Sequence, residues 1–172
     1  MDIVSVNQLS NEDFISQFGN VVECTSLCAA AVAGNRPFLN FNDLYRNLCD
    51  FIDALPSSGR AGILRSHPDL AGRLAKANAL TVESTQEQAS AGLSNLTKEE
   101  MQLIDKYNQD YRQKFGFPFV ICARLNNKER IINALKARLV NDLEQELNTG
   151  IEEVKKIMLL RLKDIVKTDS NL

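Results

Sequence analysis

The chain of 172 residues has one histidine, no tryptophan and four cysteines, and these scarcities exclude several kinds of function. One imidazole cannot complete the common Cys/His ligand sets for zinc, and Cys24, Cys28, Cys49 and Cys122 lack the paired close spacing of a zinc site. The thiols read instead as buried side chains of a reducing compartment. Neither sign of charge is in excess: 20 Lys and Arg face 22 Asp and Glu, a net charge of -2. That balance argues against a nucleic-acid footprint and against a basic helix lying on a membrane. No apolar run reaches the roughly 18 residues of a membrane span. The start, Met1-Asp2-Ile3-Val4, has no basic region, so no secretory signal is expected. Also missing are a phosphate-cradling glycine loop, a dinucleotide fingerprint and a visible nucleophile-base-orienter set.

What is present is a run of capped, amphipathic segments. With 44% hydrophobic and 24% charged residues, the composition is that of an ordinary globular chain, and the length predicts a single domain over 1–172. Ser10 with Asp13 three residues on reads as a helix start, followed by Phe14, Ile15 and Phe18 on one face. Residues 26–34 are apolar nearly all round and read as a buried helix. Asn40 or Asn42 caps a helix carrying Leu44, Leu48, Phe51, Ile52 and Leu55, and Ser57 or Ser58 caps a short one carrying Ile63 and Leu64. Residues 73–80 read as either a loop or a loose helix.

Thr81 opens a helix to Gly92. A capping box at Thr97 and Glu100 opens a longer one with Met101, Ile104, Tyr107, Tyr111 and Phe115, ended by Gly116. Asn126 or Asn127 and then Asp142 start the last two, the final helix running to about Lys167 with a weak point at Gly150. The stretch 117–123 (Phe-Pro-Phe-Val-Ile-Cys-Ala) resists this pattern. It is apolar, partly β-branched and contains proline, so it is expected as extended chain packed inside, its main-chain polar groups needing partners. The fold class is therefore all-α, a single-domain bundle of about eight helices with one extended segment near 117–123.

Three polar features stand out. The only histidine, His67, is followed by Pro68, which pushes it out of the helical region at a helix end. Histidine is also the side chain whose ordinary pKa suits proton transfer near neutrality. Ser84, Glu87 and Gln88 share one helix face by i, i+3, i+4 spacing; the alternative for them is a solvated surface. Arg161 falls in the apolar stripe of Val154, Ile157, Met158 and Ile165, so it must snorkel, pair with a buried acid such as Glu87 or Asp69, or face an anionic ligand. Together these residues suggest a cofactor-free helical enzyme acting on a small acid.

Three longer segments carry a resemblance. They are His67-Pro68-Asp69-Leu70-Ala71-Gly72, Ser84-Thr85-Gln86-Glu87-Gln88 with Ala91-Gly92-Leu93, and Phe115 through Arg124 (Phe-Gly-Phe-Pro-Phe-Val-Ile-Cys-Ala-Arg). Supporting pieces are Arg36-Pro37-Phe38, Gly62-Ile63-Leu64-Arg65 and Glu152-Glu153-Val154-Lys155-Lys156-Ile157. In order and over nearly the whole chain, these resemble the 2-oxo-4-hydroxy-4-carboxy-5-ureidoimidazoline (OHCU) decarboxylases of urate breakdown, a part of purine metabolism. The resemblance implies an all-helical homodimer, with neither metal nor organic cofactor, that converts OHCU to (S)-allantoin and CO2. It implies His67 and Glu87 as the catalytic pair. Substrate contacts would fall on Pro68, on Ser84, Thr85, Gln86, Glu87 and Gln88, on the main chain of Phe119, Val120, Ile121, Cys122 and Ala123, and on Arg161.

The terminal Ser170-Asn171-Leu172 departs from the peroxisomal Ser-Lys-Leu at its middle residue and points to peroxisomes, with the cytoplasm as the alternative. Two other readings remain: a hydrolase of a related ureido compound, and a non-enzymatic helical interaction domain.

Overall fold

Most helix starts in this chain are set by short polar side chains that take up a free main-chain N–H group. Asp2, Ser10, Asn40, Thr81, Thr97 and Asn127 each accept from the N–H three residues on. Asp142 does the same for Gln145 at 2.8 Å. Thr97 and Glu100 form the full reciprocal box.

The computed structural model describes residues 1–168. Among these, the chain forms α1 (Ile3–Asn7), α2 (Asn11–Phe18), α3 (Leu27–Ala33), α4 (Phe41–Ala54), α5 (Ser57–Arg65), α6 (Arg73–Lys76), α7 (Val82–Ser90), α8 (Lys98–Phe115), a 3-10 turn (Ala123–Leu125), α9 (Lys128–Arg138) and α10 (Leu143–Ile165). No strand occurs among the described residues, and none of their helices is long and apolar enough to cross a membrane. The all-α class is thus observed. The helices beyond the expected eight are α1 and the four-residue α6, the latter in the stretch that read as either loop or loose helix. The terminal Ser170-Asn171-Leu172 lies outside the described residues.

The chain divides into two compact units: Met1–Ser66 with the segment from Lys155 onward, and His67–Val154. In the first, α2 packs on α3 and α3 on α4. Phe14 and Phe18, Leu44, Leu48 and Ile52 are fully buried, with the two phenylalanine rings 4.6 Å apart. In the second, α8 packs on α9 and α7 on the 3-10 turn. Its core is aromatic: the Tyr111 ring lies 4.5 Å from Phe115 and meets Phe119 edge-on at 5.5 Å.

Several local expectations need correction. α3 buries only Cys28, Ala29, Val32 and Ala33; Leu27 is 62% exposed, and Ala30 and Ala31 also face outward, where a methyl side chain costs little to leave in water. α5 starts one residue earlier than a serine cap would place it: Pro56 is the cap and Ser57 already helical, as suits the fixed φ of proline at a helix entry. On α8 the buried row is Ile104, Asn108, Tyr111 and Phe115; Met101 is exposed, and a polar Asn108 stands where Tyr107 was expected. α10 runs unbroken through a buried Gly150, so packing outweighs the low helix propensity of glycine there.

Leu48 tests the core of the first unit. Truncation to alanine removes a fully buried side chain and is expected to cost about 2–5 kcal/mol, read as a lowered urea midpoint.

Candidate functional site

His67 begins the second unit directly after α5 ends at Arg65 with Ser66 as its cap. Pro68 keeps it non-helical, and its imidazole is only 7% exposed. The turn that follows is held by side chains of two helices. Gln88 on α7 accepts the Ala71 N–H at 2.9 Å, and Ala71 sits in the left-handed region at φ +50. On α8, Asn108 donates to the Leu70 carbonyl at 3.0 Å, and Arg112 grips the Asp69 carboxylate through Nε and Nη2 at 3.2 and 3.1 Å. Gly72 closes the turn onto the Asp69 carbonyl, and a Cβ there would lie 2.6 Å from that of Asp69, so glycine is required. His67 is therefore anchored by a turn whose main chain is fixed at three successive residues.

The α7 face divides as its spacing predicts. Ser84 and Gln88 are buried and Glu87 is half-buried, which overturns the solvated-surface alternative for this face. Thr85 and Gln86, from the same motif, are exposed. Thr85 donates to the Thr81 carbonyl at 2.9 Å and borders a cavity of about 410 Å³ that Gln88, Ala71, Leu80, Leu93 and Met101 also line.

Residues 117–122 are buried and belong to neither helix nor sheet, with Cys122 extended, and Ala123 already belongs to the 3-10 turn. Helices supply partners for this main chain. Arg138, at the end of α9, donates from Nη1 to the Val120 carbonyl at 2.8 Å while its guanidinium lies 4.3 Å above the Phe119 ring. Arg138 is held in turn by Glu146, its Nε 2.9 Å from Oε2. Glu146 has no solvent exposure and also takes bonds from the Tyr111 hydroxyl and, at 2.9 Å, from Asn141. At the other end, Glu153 on α10 accepts the Cys122 N–H at 2.8 Å, so this one of the expected substrate-facing amides is engaged by the protein.

Electrostatics links these parts. Burial, and then the Glu153 and Glu87 carboxylates, push the Cys122 thiol up from its ordinary value, against an opposing main-chain hydrogen bond from Leu125. Glu87 thus exerts its charge at the extended segment from α7. Tyr111 is likewise pushed up, first by burial and then by its bond to Glu146.

Arg161 belongs to the first unit. It is 4% exposed, and Nη1 donates to Glu23 Oε2 at 2.6 Å and to the Asn20 carbonyl at 2.8 Å. Glu23 is 2% exposed, so the apolar stripe did conceal a buried acid partner, though an acid outside the pair first considered. The Glu23 carbonyl also accepts from Thr25 and Ser66 hydroxyls at 2.9 Å each.

Sequence reasoning missed Glu23, Asn108, Arg138 and Glu146. Glu23 lies in no periodic segment. The other three are polar residues on helices, and their spacing alone does not separate a buried network from a solvated face. Glu153 did carry a signal, as part of Glu152-Glu153-Val154.

Comparison with known proteins identifies relatives of the chain. A family model described as OHCU decarboxylase matches residues 7–163. A 2-oxo-4-hydroxy-4-carboxy-5-ureidoimidazoline decarboxylase of Amia calva is 52% identical over 97% of this chain and 95% of its own length. A uric acid degradation bifunctional protein of Bacillus sp. (strain TB-90) is 33% identical over 99% of this chain, which spans 33% of that longer protein. Among solved structures, an OHCU decarboxylase crystallised in the presence of (S)-allantoin shares the fold with a TM-score of 0.70 and 22% identity, over 91% of this chain and 98% of that one.

The two buried thiols give a test of this environment. Burial pushes Cys28 up to about 11, and Cys122 moves the same way. Both thiols ionise more readily in the unfolded chain, so their contribution to stability is full below the free-thiol value of 9.0 and falls as pH rises above it. At pH 8, iodoacetamide labelling of the folded protein followed by mass spectrometry is expected to leave Cys28 and Cys122 unmodified. Rapid labelling of Cys122 would contradict its burial.

Proposed function

The chain belongs to the OHCU decarboxylase family, and we infer that it is a carboxy-lyase converting OHCU to allantoin in urate degradation. The observation that carries this is identity of 52% with a named decarboxylase along nearly the full length of both chains. The family model reaches from 7 to 163, across both compact units, which supports reading the chain as one functional domain.

The chemistry follows from the substrate. The carbon bearing the carboxylate also bears a hydroxyl and adjoins a C=N of the imidazoline ring. When the C–C bond breaks, CO2 leaves and the electron pair passes into that C=N, which makes the substrate its own electron sink. The resulting enol loses its hydroxyl proton to become the allantoin carbonyl, while the ureido-bearing carbon and the ring nitrogen each gain one. Net, a carboxylate and one proton give CO2 and neutral allantoin.

We assign His67 and Glu87 to this proton traffic, accepting from the hydroxyl and delivering to one face of the enol, which would set the (S) configuration. The burial of His67 and the half-buried place of Glu87 support the assignment. We further assign substrate contacts to Pro68, to Ser84–Gln88 and to the main chain of 119–123. Arg161 would hold a carboxylate or carbonyl oxygen by charge-assisted bonds. Within these sets, the burial of Ser84 and Gln88 favours them over the exposed Thr85 and Gln86. A second copy of the chain as partner rests on the family resemblance, and a peroxisomal location rests on Ser170-Asn171-Leu172.

OHCU generated in situ from urate, followed by circular dichroism as (S)-allantoin forms, tests the reading; release of CO2 rather than ammonia separates decarboxylase from hydrolase. His67→Asn is expected to stay folded and lose about a hundredfold or more of the enantioselective rate. Near wild-type turnover would remove His67 from the mechanism. Arg161→Lys is expected to lose about tenfold or more in kcat/KM, because a point charge does not replace a planar fork. Unchanged kinetics there would leave Arg161 as the partner of Glu23 alone.

A further inference from the structure

The extended segment at 119–122 has an unusual difficulty. It is buried, it belongs to no sheet, and yet it is assigned to read a flat polar substrate through its main chain. In a sheet, neighbouring strands would fix the direction of each carbonyl and N–H. Here that work falls to side chains.

Arg138 occupies the decisive place. Its Nη1 reaches the Val120 carbonyl at 2.8 Å, and its plane covers Phe119 at 4.3 Å, so one side chain fixes two consecutive residues of the segment. It does so from a fixed position. Nε lies 2.9 and 3.2 Å from the two Glu146 oxygens, and Glu146 is in turn held by Tyr111 and Asn141. Tyr111 itself abuts Phe119 edge-on at 5.5 Å, closing the bracket from the other face. All of these groups lie within the His67–Val154 unit. The Val120 peptide plane cannot rotate without losing the Arg138 bond, and Arg138 cannot move without exposing a buried carboxylate to an unpaired state.

We propose that Arg138, braced by Glu146, is a positioning residue that sets the orientation of the 119–122 main chain and thereby the affinity for OHCU. The proposal rests on the reading that this main chain contacts the substrate. Lysine at 138 can still neutralise Glu146, but it cannot at once reach the Val120 carbonyl and lie flat on Phe119. The segment binds atoms that do not react, so its misplacement raises KM more than it lowers kcat.

The experiment compares wild type, Arg138→Lys and Glu146→Gln by steady-state kinetics on OHCU generated in situ. It also measures hydrogen exchange of the 119–123 amides with and without (S)-allantoin, and thermal melting reports the folded fraction. Arg138→Lys is expected to lower kcat/KM about ten- to a hundredfold, chiefly through KM, and to abolish the protection allantoin gives these amides. Glu146→Gln, which keeps an acceptor for Arg138 but not the charge, is expected to show a smaller rise in KM, and it carries the test should the lysine variant not fold. A purely structural Arg138 would lower the melting temperature while leaving KM and allantoin protection unchanged in the folded fraction, and that result overturns the proposal alone. Absence of allantoin protection at 119–123 in the wild type overturns the reading beneath it, and the proposal falls with it.

Discussion

A carboxylate with no access to water must be satisfied on the spot: Arg138 supplies Glu146 with the opposite charge, and neutral donors from neighbouring elements of the second unit fill its remaining lone pairs. Tyr111 comes from α8, Arg138 from the end of α9, and Asn141 from the connection to α10, on which Glu146 itself sits. Removing one partner of such a network leaves a buried charge uncompensated, at about 3–5 kcal/mol. An apolar cluster of the same volume could be as stable, because the desolvation of both ions would be avoided. It could not offer a donor to the Val120 carbonyl. The buried charge is therefore better understood through what it holds than through what it adds to stability.

The same logic governs the His67 turn. A loop with a left-handed alanine at 71 and a glycine that admits no Cβ at 72 does not hold its shape through local preference alone. Gln88, Asn108 and the exposed Arg112 fix it from two helices, at the cost of burying the Gln88 and Asn108 amides that an ordinary helix packing would exclude. Both the histidine and the extended segment thus stand on main chain outside regular structure, oriented by side chains rather than by a ladder of backbone bonds.

This explains which parts could be read in the sequence. Caps and apolar periods are local, so Ser10 and Thr97 were identifiable directly, Asn40 and Asn127 each as one of two neighbouring asparagines, and with them the all-α class. Pro68 and Pro118 are local too, and they marked the two irregular segments. The supports are not local. Arg138 lies 18 residues from the carbonyl it holds and Arg161 lies 138 from Glu23, and no pattern within a helix distinguishes such a residue from a solvated one. Asn108 illustrates the limit: the period that predicts Tyr107 as buried is satisfied one position later by an amide, because the Leu70 carbonyl needs a donor there.

On the proposed assignment of Arg161 to the substrate, its pairing with Glu23 bears on how such an arginine is compatible with decarboxylation. A lone buried guanidinium would bind a substrate carboxylate tightly, and a carboxylate held in its charged form is stabilised in the ground state relative to a transition state in which that charge is leaving. With Glu23 Oε2 already 2.6 Å from Nη1, much of the charge of Arg161 is spent within the protein. On the assignment proposed above, what remains for the substrate is the directional part of the interaction, the planar donors that orient an oxygen, with less of the Coulombic part that would oppose loss of CO2. The buried acid and the arginine then act together, and neither role follows from the arginine by itself.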